Sequence, residues 1–337
     1  MATTLGYADL TPPQVLAALD TVGLVGDGRI LQLNSYENRV FLVVLDDGRA
    51  VVAKFYRPGR WSDAQIVEEH AFGLELAAAE VPVVAPLVLH AAQPDAPVRL
   101  HGSPPTLAAY GGHRFMVAPR RAGREPELDE PGTLERIGRF IGRLHEVGRR
   151  RPFRLRRRID VGADGARALA LLEGSPYVAV DARAAWTDAA QRALALAERG
   201  YAAVAPRTLR LHGDCHIGNV LWSRDDGGPQ LVDLDDACQG PAVQDLWMLA
   251  SGDAQAQAQQ FGRLLAGYRD FADFDERELA LVEPLRTLRM IRHSAWLAER
   301  WHDPAFPPAF PYFDTAAYWS QQTVQLREQI ELMEAAR

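Results

Sequence analysis

Asp214, Asn219 and Asp233 have the chemistry to act together. Asp214 and Asn219 stand five apart in the polar segment 211–222, and Asp233 follows in the segment 231–236. An Asp and an Asn at that spacing on a loop can face one pocket, and a carboxylate at the end of a following hairpin can face the same one. Two of the three suit Mg2+, which takes carboxylate, amide carbonyl, phosphate and water oxygens. The remaining Asp is free to accept a proton from an attacking hydroxyl. Phosphoryl transfer needs that division, because most of its catalysis is positioning and charge neutralisation. Asp, Asn and Gly also gather in ordinary turns. Turn chemistry rarely assembles this spacing together with a hairpin and a strand-end Asp.

His212, Asp214 and Asn219 reproduce the H-x-D-x-x-x-x-N spacing of a protein-kinase catalytic loop. A second part of that chemistry lies far upstream. Residues 51–55 form a hydrophobic strand carrying Lys54, like the strand whose Lys holds nucleotide phosphates. A lone strand Lys is more often an edge guard, but Glu68 and Glu69 follow on the next predicted helix and can supply an ion-pair partner. Glu69 lies nearer the stripe of Ile66, Gly73 and Leu76, so Glu69 is the expected one. Asp245 is expected to brace the catalytic loop through backbone N–H groups, its alternative being a helix N-terminal carboxylate. Asp235 and Asp236 read as solvated. His212, Cys215 and His216 cluster, but nothing completes a zinc site at ligand spacing; His212 reads as a buried brace.

The elements that must position these groups fall into two kinds. A first helix starts at Pro12, capped by Thr11, with Val15, Leu16 and Leu19 as its stripe, and stops at Gly23 and a turn over 26–28. Strands over 40–45 and 50–56 flank a turn at Asp46, Asp47 and Gly48. A helix over 62–79, an extended Pro-interrupted stretch over 81–89 and a strand over 113–118 follow. After a loop over 119–132 come helices over 133–148, capped by Thr133, and over about 165–203. A loop over 209–220 leads into a hairpin of 220–222 and 231–232, turned at 225–228, and helices fill most of 241–337. The expected fold class is α+β and bilobal: a small antiparallel β-sheet lobe over 1–118, and a larger helical lobe over 119–337 with the catalytic loop and substrate face.

Composition agrees with two lobes, since 337 residues exceed one ordinary core. With 37 Lys+Arg against 44 Asp+Glu the chain carries −7, which argues against a main task of gripping nucleic acid. A hydrophobic content of 47% excludes a wholly disordered chain. No apolar run reaches the length of a membrane span, and the first residues lack a leader's basic and apolar regions. Two cysteines, Cys215 and Cys238, suit a reducing cytosol. The expectation is a cytoplasmic monomer. The cysteines flank the catalytic segments, where buried inert thiols are expected over an oxidant-sensitive pair. An arginine run over 149–158 reads as a solvated connector, its alternative being a nucleic-acid or acidic-substrate site. The aromatic run 301–313 either lines the substrate face or packs it.

With these parts in place the sequence resembles the aminoglycoside phosphotransferase and choline kinase superfamily, whose fold is protein-kinase-like. Within it the resemblance is to bacterial serine/threonine protein kinases of the stress response. Segments 33–40, 52–58, 68–70, 209–216, 232–237, 240–248 and 301–307 carry it, nearly end to end. The resemblance implies Asp214 as catalytic base, Asn219 and Asp233 as Mg2+ ligands, and Lys54 on ATP. It also implies that Ser35, in the strand-to-strand turn over the nucleotide, contacts ATP. No G-x-G-x-x-G precedes Lys54; the turn reads Asn34, Ser35, Tyr36, Glu37, Asn38. Backbone N–H groups and the Asn34 or Ser35 side chains must then cover the phosphates, with adenine at the connector 116–120. No A-P-E element is present, so regulation by an activation loop is not expected. The acceptor is then a Ser/Thr hydroxyl on a protein, this chain included. A kinase of choline, homoserine or an aminoglycoside shares the same core motifs. A pseudokinase scaffold is the remaining alternative, against which the intact Lys54, Asp214, Asn219 and Asp233 argue.

Overall fold

The structure, a computed structural model, describes residues 7–223 and 228–335; the hairpin turn expected at 225–228 lies outside these residues except for Gly228. Six strands build one antiparallel sheet: β1 (Gly26–Leu33), β2 (Arg39–Leu45), β3 (Ala50–Phe55), β4 (Arg99–Gly102), β5 (Pro105–Tyr110) and β6 (His113–Pro119), in the order β1-β2-β3-β6-β5-β4. Helix α1 (Pro12–Asp20) opens with a Thr11/Gln14 capping box, and α2 (Asp63–Ala78) with a Ser62/Gln65 one. The helices take opposite faces of the sheet. Val51, Ala53 and Phe55 of β3 pack with Val15, Ala18 and Leu19 of α1. Tyr56 joins Ile66 of α2, Met116 and Ala118. The two-residue period of a strand puts Lys54 on this second face, at 6% exposure.

Strands β1, β4 and β5 go beyond the sequence expectation. β1 is an edge strand, mostly exposed along its length, and it includes the glycines that read as a turn. β4 is the opposite edge, with only His101 and Leu100 partly covered, and β5 is rich in small residues. Neither shows the alternation that marks a strand in sequence.

The helical lobe comprises α3 (Thr133–Arg149), α4 (Val161–Glu173), α5 (Val180–Val204), α6 (Ala254–Tyr268), α7 (Val282–Arg300), α8 (Phe306–Ala309) and α9 (Ala316–Ala335). The helical patterns expected over about 165–203 are α4 and α5, separated around Gly174, Ser175 and Pro176. The cap of α3 is Gly132 at φ 82°, which corrects the assignment to Thr133; Thr133 is buried inside the first turn. Helices α3 and α6 meet backbone to backbone, since a Cβ on Gly138 would stand 2.0 Å from the Leu264 carbonyl oxygen. Between the helices, β7 (Leu209–Leu211) pairs with β10 (Cys238–Gly240), and β8 (Val220–Ser223) with β9 (Gly228–Leu231). Their loops meet below β3. Among the described residues, no helix is long and apolar enough to cross a membrane.

Candidate active site

The loop 212–219 is held from beneath by Asp245, which is wholly buried. The backbone N–H groups of His212 and Gly213 donate to its two carboxylate oxygens, each at 2.8 Å. Burial keeps His145 neutral, so its Nε2 donates to Asp245 at 3.1 Å while its Nδ1 accepts from the Tyr268 hydroxyl at 2.9 Å. This is the brace that the sequence position of Asp245 implies. His212 is buried too, and its Nε2 meets the Val232 carbonyl at 2.8 Å, tying the loop to the end of the β8–β9 hairpin. Gly213 has no substitute. Its φ is 87°, and a Cβ would lie 2.2 Å from the Asp236 carbonyl oxygen.

Asn219 and Asp233 leave the same end of that hairpin. Val220 pairs with Leu231, and the Val232 N–H donates to the Asn219 carbonyl at 3.0 Å. Asn219 Nδ2 donates to the Asp214 carbonyl at 2.9 Å, which turns its Oδ1 away as the atom left to coordinate. Asp233 takes a left-handed backbone, φ 62°, a region that Asp enters more readily than most non-glycine residues. Its side chain is 51% exposed and accepts from Lys54 Nζ at 3.1 Å. Burial alone would discharge Lys54, but the charges of Asp233, Tyr56, Asp235 and Glu69 together outweigh it, and the ammonium is held well above the ordinary lysine range.

Asp214 Oδ1 accepts from Arg289 Nη1 at 2.6 Å, and Oδ2 lies 3.5 Å from His216 Nε2. Burial pushes this carboxyl up, but the His216 hydrogen bond and the Arg289 charge overcome it and hold the group well below the usual carboxylate range. Asp214 is therefore ionised and acceptor-only.

Several expectations require correction. Lys54 forms no ion pair with Glu69; its partners are Asp233 and, at 3.8 Å, Asp235. Glu69 is buried with Oε2 lacking a hydrogen-bond partner among the described residues, and burial raises its pKa to about 7. Glu68 points away, accepting from the backbone N–H groups of Arg154, Leu155 and Arg156. Asp235 is not solvated: it is buried and accepts from Asn38 at 3.1 Å and Arg60 at 2.5 Å. Asp236 takes the other end of Arg60 at 2.8 Å. The arginine run is only partly solvated. Arg156 is buried over the Trp61 ring, 3.9 Å from its centroid, and donates to the carbonyls of Asp235 and Ala237. Cys215 and Cys238 are both buried free thiols, and burial pushes both pKa values up, that of Cys238 to about 11.

Ser35 sits half-buried in the turn between β1 and β2, and that turn reaches across to the helical lobe. Tyr36 packs on Phe306 and Phe310, with ring centroids 6.4 and 4.9 Å away. Glu37 accepts from the Trp296 indole at 2.5 Å and pairs with Arg300 at 2.7 Å. Part of the aromatic run thus holds this turn, while Trp301 and Phe313 pack on Tyr177. Sequence reasoning missed Glu37, Arg60 and Arg289. The available signal was the 4-3-4 spacing of Arg289, His293, Trp296 and Arg300 on one face of α7.

Comparison with known proteins places this geometry. Residues 29–282 match the model of the phosphotransferase enzyme family APH. The chain belongs to that family. The serine/threonine protein kinase RdoA of Salmonella typhimurium is 41% identical over 97% of this chain and 94% of its own length. Stress response kinase A of Escherichia coli K12 is 40% identical over 97% and 95%. Two solved structures share the fold. Amicoumacin kinase hAmiN, in complex with AMP-PNP, Ca2+ and Ami, superposes with a TM-score of 0.68 at 18% identity, covering 95% of this chain and 92% of its own. A microcompartment-associated aminopropanol kinase gives 0.68 at 19%, covering 96% and 97%. This member of the APH family is a phosphotransferase with the kinase-like bilobal α+β fold.

Proposed function

We propose that the chain is a cytoplasmic, ATP- and Mg2+-dependent serine/threonine protein kinase of a stress response. In this reading residues 1–118 are the nucleotide-binding lobe and 119–337 the acceptor lobe. The observation that carries it is the meeting of Lys54 with Asp233 at 3.1 Å beside the Asp214–Asn219 loop. The protein acceptor rests on the names of the relatives at 40–41% identity.

The residues present fit a hard divalent cation. Asp233, Asp235 and Glu69 crowd one lysine, and Asp235 Oδ1 and Glu69 Oε2 are buried acceptors without hydrogen-bond partners among the described residues. Asn219 and Asp233 add oxygen donors and no sulfur or nitrogen, the set Mg2+ prefers. When bound there, Mg2+ supplies charge neutralisation to phosphate oxygens. The neighbour holding AMP-PNP and Ca2+ supports the use of a nucleotide and a divalent ion. Lys54 orients the phosphates, Ser35 and the backbone of the 34–38 turn cover them, and the connector 116–120 takes adenine. Asp214 accepts the acceptor's hydroxyl proton as its oxygen bonds to the γ-phosphorus.

Asp214→Asn should retain nucleotide binding and lose about a thousandfold in transfer, the middle of the range for a positioned base. Transfer at the wild-type rate would remove Asp214 from this role. A second reading, a small-molecule kinase, is favoured by the amicoumacin and aminopropanol kinases among the structural neighbours. Radiolabelled ATP offered with choline, homoserine and aminoglycosides against casein and myelin basic protein separates the two. Mapping of autophosphorylation belongs in the same assay.

A further inference from the structure

One face of α7 borders the catalytic loop and is basic. Arg289 holds the Asp214 carboxylate at 2.6 Å. Arg292, one turn further along, stands among Arg157, Asp164 and Asp236, and forms no hydrogen bond or ion pair among the described residues. Arg157 comes from the arginine run. Its Nε and Nη1 are buried without a hydrogen-bond partner, and its ion pair to Asp164 is loose at 3.6 Å. The nearby carboxylates are engaged elsewhere, Asp164 with Arg167 at 2.9 Å and Asp236 with Arg60 at 2.8 Å. Burial and the neighbouring Arg157 charge lower the pKa of Arg292 to about 10. Arg157 thus keeps two N–H donors buried and unspent, which is unfavourable unless an anion joins them, and the half-buried Arg292 adds a second positive charge beside it.

We infer that Arg292 and Arg157, with Arg289, receive an anionic group carried by the acceptor, so that the phosphorylated Ser or Thr lies in an acidic stretch of its protein. This rests on the serine/threonine reading above. Arg289 occupies an oxygen of Asp214 that the acceptor hydroxyl must reach. An acidic side chain beside that hydroxyl gives the guanidinium another partner and so frees the base. The hydroxyl oxygen then bonds to the γ-phosphorus, the bond to the ADP oxygen breaks, and the proton passes to Asp214. Along α7 the step from Arg289 to Arg292 is about 4.5 Å. That is little more than the roughly 3.4 Å rise per residue of an extended peptide, so the acidic residue belongs one or two positions from the hydroxyl. A cationic acceptor, such as an amino alcohol or aminoglycoside, meets like charge on this face.

Three peptides with one Ser, flanked by Asp, Ala or Lys, test the inference with the full chain and Mg·ATP. The acidic peptide should exceed the neutral one about tenfold in kcat/KM, with the lysine peptide slowest. Raising the salt from about 50 mM to about 500 mM should shrink that ratio by screening. In Arg292→Gln and Arg157→Gln the ratio should fall to within about twofold, while Arg292→Lys keeps most of it. Melting curves of each variant check folding, and the salt series on the unaltered protein decides the matter if a variant does not fold. Equal rates for all three peptides, or preference for lysine, overturns the inference and leaves the serine/threonine reading standing. Transfer to choline or an aminoglycoside and to no peptide overturns that reading and the inference with it.

Discussion

Glu69 shows what a single buried side chain contributes and how little of that is visible in a motif. The sequence places it rightly on the sheet-facing side of α2, but pairing it with Lys54 assumed that nothing else would compete. Asp233 and Asp235 do, through contacts spanning well over a hundred residues. Left without an ion pair to Lys54, Glu69 has its pKa raised by burial to about 7, against 4.5 in the unfolded chain. Below pH 4.5 both states are protonated. Between 4.5 and 7 the unfolded chain releases its proton first, so stability falls as pH rises through this window and stays lower above it, by about 3 kcal/mol. Glu69→Gln removes this share of the slope. The variant should melt with the wild type at pH 5 and above it at pH 8. Glu278, also raised to about 7 by burial, gives a slope of the same sign in both proteins. The difference between the two melting curves is therefore the measure, and parallel curves would show that Glu69 is already ionised at no cost. Asp214, Asn219, Asp233 and Lys54 were legible because each lies in a short segment whose spacing is itself the signal. Arg289 was not, because its contact with Asp214 crosses 75 positions.

At the scale of elements, the loop 212–219, proposed as catalytic, is a stretch of irregular backbone held by one buried carboxylate. Asp245 satisfies two N–H groups and His145, and Gly213 permits the close approach to Asp236. Asp245→Ala would strand all three donors in the interior and should cost about 3–5 kcal/mol in denaturant unfolding. Asp245→Asn keeps one acceptor oxygen, so it should fold and yet lose about a hundredfold in kcat, because the loop shifts relative to the phosphates. A variant with normal kcat would make Asp245 a purely structural residue rather than a positioning one. Helices α1 and α2 were readable from their cap residues, Thr11 and Ser62, and their stripes; the Gln14 and Gln65 halves of the capping boxes emerge only in the structure. The edge strands β1 and β4 were not, since a strand with little buried surface has little reason to alternate.

Across the whole molecule, the net charge of −7 conceals how the charges are sorted. Acidic groups collect around Lys54 and Arg60, while the face of α7 next to the catalytic loop is basic. The same helix links the loop 212–219 to the turn over the sheet, with Arg289 on Asp214 and Arg300 on Glu37. Further ties cross between the lobes, from Arg57 to Asp303 at 2.9 Å, from Arg60 to Asp235 and Asp236, and from Arg210 to Glu75 at 2.8 Å. Most of these groups are well covered, so removing one partner leaves a desolvated charge rather than a solvated one. The lobes should therefore unfold together. Calorimetry should show one transition, coincident with loss of the Trp fluorescence. Glu37→Ala strands the Trp296 indole, leaves Arg300 only its pair with Glu299, and slackens the 34–38 turn, which in the proposed mechanism covers the phosphates. It should lower the melting temperature and raise KM for ATP several-fold while kcat changes less, because Asp214 and its brace are untouched. An unchanged KM would mean that the turn holds its shape without the helical lobe. Two separate transitions in the unaltered protein would mean that the seam of ion pairs does not couple the lobes.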